Sequence, residues 1–261
     1  MNQIQKKWMT IAVFTALIFS GIQSSCSKSA PDTTNTDEDF DVTEAESTDA
    51  WAKVYEATSL QKDGDYWVVT SEDLPDHQSV YYEGTEWEDT LFAEYNESGF
   101  RSNNISIQKQ TLSFRIPIIP KKATTHDATP GGPMGIALNG VPFFNQYNGS
   151  GDPLTIEIES FDQYKGHAAP VLHDYHYHAE PTYLTATKGS NALLGFLLDG
   201  FPVYGPVENG ITITNDDLDE YHGHVGITED YPRGIYHYHI TDADPYINGN
   251  GFYGTPGTVS H

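Results

Sequence analysis

After residue 50 the apolar residues come in short alternating or β-branched runs, such as Tyr66-Trp67-Val68-Val69 and Phe114, Ile116, Ile118, broken by Gly, Pro, Asn and Asp. A period of two sends successive side chains to opposite faces of a strand, and turn residues at this density keep the strands short. No long run of 3.6-residue period follows the first 25 residues. The pattern therefore predicts a mainly β fold, a sandwich or a barrel, with short helices at most. Pro117 and Pro120 lack a ladder donor, which points their segment to an edge or a bulge.

The first 25 residues have a different pattern. Lys6 and Lys7 precede an uncharged apolar run from Trp8 to Ile22 and then Ser24 and Ser25, the arrangement of an export signal. The run is shorter than the ~20 apolar residues of a membrane span. Cys26, the single cysteine, follows at once. Its place resembles the lipidation site of bacterial lipoproteins, which implies a mature chain starting at Cys26 and held to a membrane by lipid alone. Gln23 stands where such sites carry an aliphatic residue, so ordinary cleavage nearby stays open. Residues 26–50 are acidic and poor in large apolar side chains, as in a solvated tether.

Charge narrows the partners. The net charge is −24, and loss of residues 1–25 removes two lysines and no acids, giving −26. Such a field repels phosphates, which excludes nucleic acid as a natural partner, and attracts cations. With one cysteine no disulfide is available, so a packed core or bound metal must hold the fold. Along the chain, residues 51–120 read as an N-terminal β region. Residues 121–133 form a loop ending in Pro130-Gly131-Gly132-Pro133, and residues 134–261 form a second part.

The second part repeats itself. Gly135 to Phe144, with Asn139-Gly140 at its centre, recurs 60 residues later as Gly195 to Tyr204, with Asp199-Gly200. Both read as hairpins. Phe161-Asp162 through Gly166-His167 recurs as Leu218-Asp219 through Gly223-His224, and Tyr175-His176-Tyr177-His178 recurs as Tyr236-His237-Tyr238-His239. Three blocks in one order predict two homologous units of about 60 residues, packed around a pseudo-two-fold axis where a shared site could form.

The repeat carries the candidate chemistry. Eight of the eleven histidines lie between residues 167 and 239. In a strand His176 and His178 share one face, and Tyr175 and Tyr177 the other. With His167 the first unit offers three imidazoles, and His224, His237 and His239 give the second unit the same set. Three imidazoles suit zinc or copper. The alternative is a strand that buries its tyrosines and leaves its histidines in solvent. Asp162 and Asp219 either orient an imidazole or cap a turn. His173 and His222, which have no counterpart in the other unit, are weaker candidates for supporting groups, and His77, His126 and His261 read as incidental. An ordinary imidazole titrates near pH ~6.5, so metal affinity should fall below about pH 6.

The doubled tetrapeptide, the run Leu198-Asp199-Gly200-Phe201-Pro202-Val203-Tyr204-Gly205, and Leu218-Asp219-Glu220 leading into Gly223-His224 resemble the YHYH-domain proteins over roughly residues 130–250. The resemblance implies an exported protein and no particular reaction. Related sequences place cysteine where Tyr221 stands and again near Asn250; the disulfide this implies is absent here.

Three functions remain on the sequence alone. The first is an exported, His-rich, cell-envelope protein that binds zinc or copper, with a metalloenzyme as its extension. The second is a metal-independent enzyme on polysaccharide, using Tyr and His as base and acid. Only Lys165, Lys188 and Arg233 in the second part could meet a polyanion. The third is a cell-surface module that binds carbohydrate or protein.

Overall fold

The computed structural model describes residues 48–261. The export segment, Cys26 and almost all of the acidic tether lie outside the described residues. What is described is mainly β, sandwich-like and without a closed barrel. Among the described residues no helix is long and apolar enough to cross a membrane.

A short helix α1 (Thr48–Trp51) leads into a four-stranded antiparallel sheet of β1 (Ala57–Asp63), β2 (Tyr66–Ser71), β3 (Leu112–Pro117) and β14 (Thr258–Ser260), in that order. Period-two burial is strict in β2 and β3, whose inner side chains Trp67, Val69, Leu112, Phe114 and Ile116 enter the core. Pro117 ends an inner strand. It pairs with Tyr66 of β2, whereas β14 reaches only Arg115, so its missing N–H faces no ladder partner. The last strand of the chain thus completes the sheet that residues 51–120 begin.

The second sheet has eight strands in the order β12-β13-β9-β8-β4-β5-β7-β6. Its members are β4 (Gly135–Ala137), β5 (Pro142–Phe143), β6 (Gly166–Ala168), β7 (Tyr175–Tyr177), β8 (Leu193–Leu197), β9 (Pro202–Tyr204), β12 (Gly223–Gly226) and β13 (Ile235–His239). From the central β4/β8 ladder each side reads alike: a hairpin, then a parallel strand, then an antiparallel edge strand. The edge pairings also match, His167 opposite His176 and His224 opposite His237.

Gly140 and Gly200 make both hairpin turns in the left-handed region, at φ 78° and 86°. A Cβ on Gly140 would lie 2.9 Å from the Glu56 carbonyl oxygen, and one on Gly200 would lie 2.6 Å from that of Pro117. Both turns therefore press against backbone of the N-terminal region. One core joins the two sheets, and in it the Trp51 indole stacks on Phe196 at 3.8 Å.

The segments where the family resemblance implies a disulfide do meet. The Asn250 amide donates to the Glu220 carbonyl at 2.9 Å, and His126 from the 121–133 loop stacks on Tyr221 at 4.3 Å.

Candidate metal centres at the two ends of the sheet

The repeated Tyr-His-Tyr-His segments form β7 and β13 with their continuations. Both faces are buried: Tyr175, Tyr177 and Tyr238 are 0% exposed, Tyr236 is 4%, and His176, His178, His237 and His239 are at most 2%. The alternative of tyrosines inside and histidines in solvent does not describe this strand. The tyrosines turn to the core, where three donate to acids and one accepts from an amide. Tyr175 donates to Asp162 and Tyr236 to Asp219, both at 2.8 Å; Tyr238 donates to Asp199 at 2.6 Å; and Asn139 donates to the Tyr177 hydroxyl at 3.1 Å. Burial pushes all four tyrosines upward from the ordinary phenol value.

On the opposite face the imidazoles converge. Glu157, His167, His176 and His178 form one group, and Glu208, His224, His237 and His239 another; in each, one donor atom per residue lies within 4.8 Å of all the others. His176 Nε2 stands 3.0 Å from His178 Nε2, and His224 Nε2 stands 3.1 Å from His237 Nε2. Glu157 Oε1 is 3.2 Å from His167 Nε2, and Glu208 Oε1 is 3.3 Å from His237 Nε2.

Backbone acceptors fix the tautomers. His176 Nδ1 meets the Asp174 carbonyl at 3.2 Å and His178 Nδ1 the Asn145 carbonyl. His237 Nδ1 meets the Ile235 carbonyl at 3.0 Å and His239 Nδ1 the Gly205 carbonyl at 2.8 Å. A carbonyl only accepts, so each of these Nδ1 atoms carries the hydrogen and each neutral Nε2 carries a lone pair. At His167 the same follows in two steps: Ser160 Oγ donates to the Glu157 carbonyl at 2.6 Å, so its contact with His167 Nδ1 at 3.0 Å is an accepted bond. Nε2 of His167 and of His239 is buried without a hydrogen-bond partner.

Burial pushes the His176, His178, His237 and His239 imidazoles away from the charged form. His178, His237 and His239 are pushed down to about 4, and His176 well below its ordinary value. Burial is the leading cause in each, and neighbouring imidazoles add to it. Folding therefore keeps these four nitrogens neutral to a lower pH than an ordinary imidazole.

The six sequence-predicted histidines thus fall into two sets of three. The sets do not meet at the axis. They lie on the outer strand pairs, with five strand intervals between β7 and β13, roughly 24 Å at ~4.8 Å per interval.

Asp162 and Asp219 do not reach the imidazoles. Besides the tyrosine hydroxyls they accept turn amides, Tyr164 N–H and Tyr221 N–H at 2.8 and 2.9 Å, which is the turn-cap alternative. His173 lies apart from both centres and bonds the Ser106 carbonyl at 2.9 Å. His222 Nδ1 bonds the carbonyl of His239 at 2.8 Å, so it supports the strand of one candidate ligand without joining the set.

Sequence reasoning missed Glu157 and Glu208. Glu157 opens a 3-10 turn (Glu157–Ser160), whereas Glu208 ends the short strand β10 (Val207–Glu208), which pairs with β11 (Ile211–Thr212). They stand outside the repeated blocks, so comparing the repeats could not pair them. His77, read as incidental, is buried and its Nε2 bonds the Tyr177 hydroxyl at 2.9 Å. That contact spans a hundred residues and left no local signal.

Comparison with curated proteins gives no match, and neither does comparison with solved structures. The family described as YHYH protein matches residues 113–212 and 208–251. Its match begins within β3, so it takes in part of the first sheet as well as both histidine strands. On that span, and with the doubled strand that gives the family its name, the chain belongs to the YHYH protein family.

Proposed function

We propose that this protein is an exported metal-binding protein that holds two transition-metal ions, one in each His3Glu set. The observation that carries the proposal is the 3.0 Å approach of His176 Nε2 to His178 Nε2 while both Nδ1 hydrogens are committed to carbonyls. Two lone pairs at that distance repel, and burial disfavours the proton that would relieve them. A metal cation relieves both. In the second set His224 Nε2 and His237 Nε2 approach to 3.1 Å, with the Nδ1 hydrogen of His237 committed to the Ile235 carbonyl.

Three imidazoles and a carboxylate suit zinc or copper. A bound ion would supply Lewis acidity or redox chemistry; the chain's own groups supply the fixed tautomers and the buried nitrogen face. The alternative acid–base role for Tyr and His is disfavoured because the strand tyrosines are buried and committed to Asp162, Asp199, Asp219 and Asn139. A sugar-stacking surface finds little support, since among the described residues only Tyr55 and Tyr147 are exposed aromatics.

The matched order of strands and hydrogen bonds supports reading the two arms as copies of one unit. Export, and attachment to the cell envelope by lipid on Cys26, rest on the N-terminal sequence; Cys26→Ser should release the protein from membranes. The metal reading is tested by elemental analysis after mild purification, and after reconstitution of chelator-treated protein with zinc or copper. Two equivalents and a raised melting temperature are expected. A protein that binds neither metal and gains no stability from them overturns it.

A further inference from the structure

The two centres share ligands but not their surroundings. In the first, Phe144 stacks on His176 at 3.9 Å and 22°, and Phe161 lies parallel to His178 at 5.8 Å and 3°. In the second unit Tyr204 occupies the place of Phe144 and meets His237 edge-on at 75°, while Leu218 occupies the place of Phe161. One phenyl lid is thus turned aside and the other is missing. Exposure follows: the side chain of His167 is 1% exposed and that of His224 is 28%. The two carboxylates do not account for this, since Glu157 and Glu208 are 23% and 22% exposed.

The second centre also borders a cleft of about 100 Å³, with His237, His239, Glu208, Tyr204, Asn209 and Thr228 in its wall. That exceeds the roughly 10–15 Å³ of such space that one water needs. The Tyr204 hydroxyl is fixed there by Asp230 at 3.0 Å and Thr228 at 2.7 Å. Glu208 and Glu229 at the same wall repel anions.

From these differences we infer that the second centre, and not the first, keeps a coordination position open to a small neutral oxygen donor, water in the resting protein, entering through this cleft. The inference rests on the proposed metal binding and adds a division of labour. The phenyl-covered centre is closed and structural, and the uncovered one exchanges ligands.

Copper(II)-loaded protein tests it through the water-proton relaxation rate per bound copper, with bound copper counted by electron paramagnetic resonance. His176→Ala with His178→Ala leaves only the second centre; His237→Ala with His239→Ala leaves only the first. The second centre alone should relax water severalfold faster per copper than the first alone. Equal rates at full copper loading, or a faster first centre, overturn the inference while leaving metal binding intact. If the wild-type protein binds no copper, the metal reading itself fails and takes this inference with it. Should the double variants not fold, single changes in the otherwise intact two-copper protein decide. Leu218→Phe should slow relaxation and Phe161→Leu should speed it, and no change from either overturns the proposal.

Discussion

Ile136 stands opposite Phe196 in the ladder between β4 and β8, and each is the other's counterpart 60 residues along the chain. The flanking pairs, Gly135 with Leu197 and Ala137 with Gly195, exchange in the same way about that centre. The strand order also reads alike outward from that pair, and it places the histidine strands toward opposite ends of the sheet. A shared site at the axis is excluded by this topology.

Separation of the sites predicts independence. Sites more than ~10 Å apart with no common partner add with little coupling. His176→Ala with His178→Ala should remove one metal equivalent and leave the affinity of the other within about twofold, a difference of ~0.4 kcal/mol. Titration of each double variant with zinc checks this. Loss of both equivalents from one double change, in protein that remains folded, would mean a coupled pair.

Acid should act on the metal-free protein before it acts on the metal-loaded one. His178, His237 and His239 are pushed down to about 4 in the folded chain and take their ordinary value of ~6.5 when unfolded. Between those values the unfolded state binds more protons, so the stability these groups confer is complete above about pH 6.5 and is lost as pH falls toward about 4. Each contributes a slope of up to about 1.4 kcal/mol per pH unit in that window. A bound metal should move the loss to lower pH. Denaturant melts of metal-free and zinc-loaded protein at stepped pH decide it; a metal-free stability flat from pH 7 to 4 contradicts the assignment.

What the sequence made legible follows from locality. The hairpin turns at Asn139-Gly140 and Asp199-Gly200 were readable because a tight turn is specified by adjacent residues, and His176 with His178 because same-face spacing is fixed by the strand period. Glu157 and Glu208 were not readable. They approach their imidazoles from a 3-10 turn and from a separate hairpin, places that no shared spacing encodes. The burial of the histidine face was hidden for a related reason: in the first unit its cover comes from Phe144 and Phe161, which lie outside the strand that carries His176 and His178.

The paired aspartates should differ in weight. Asp162 is fully buried and accepts from Ser79, Tyr175 and the Tyr164 amide; Asp219 is exposed and accepts from Tyr236 and the Tyr221 amide. Removing a buried acceptor leaves its donors unsatisfied, at about 1–3 kcal/mol for each group. Asp162→Ala should cost about 3 kcal/mol or more, and Asp219→Ala about 1 kcal/mol. Folded protein of either variant should keep both metal equivalents. A selective loss of one equivalent, with stability unchanged, would instead place the carboxylate in service of the imidazoles.

Trp51 tests whether the N-terminal region is part of the same cooperative unit. Its indole is 2% exposed and lies flat on Phe196, the residue at the centre of the eight-stranded sheet. Nearby, the Tyr55 amide donates to the Leu138 carbonyl at 2.9 Å, and Lys53 pairs with Asp230 at 2.6 Å. The Lys53 end of that pair is 45% exposed and the Asp230 end 7%, so solvent screens it only in part; the stacked ring, which buries far more apolar surface, is the second tie. Trp51→Ala should therefore cost about 3–5 kcal/mol, the usual range for deleting a buried aromatic. Because the ring packs on both sheets' shared core, the loss should appear as one shifted denaturation midpoint rather than as early melting of residues 51–120 alone. The metal centres lie at the far ends of the sheet, so the folded variant should still bind two equivalents. Two separate transitions in the wild-type protein, or a cost below about 1 kcal/mol for the substitution, would show that the first sheet folds on its own.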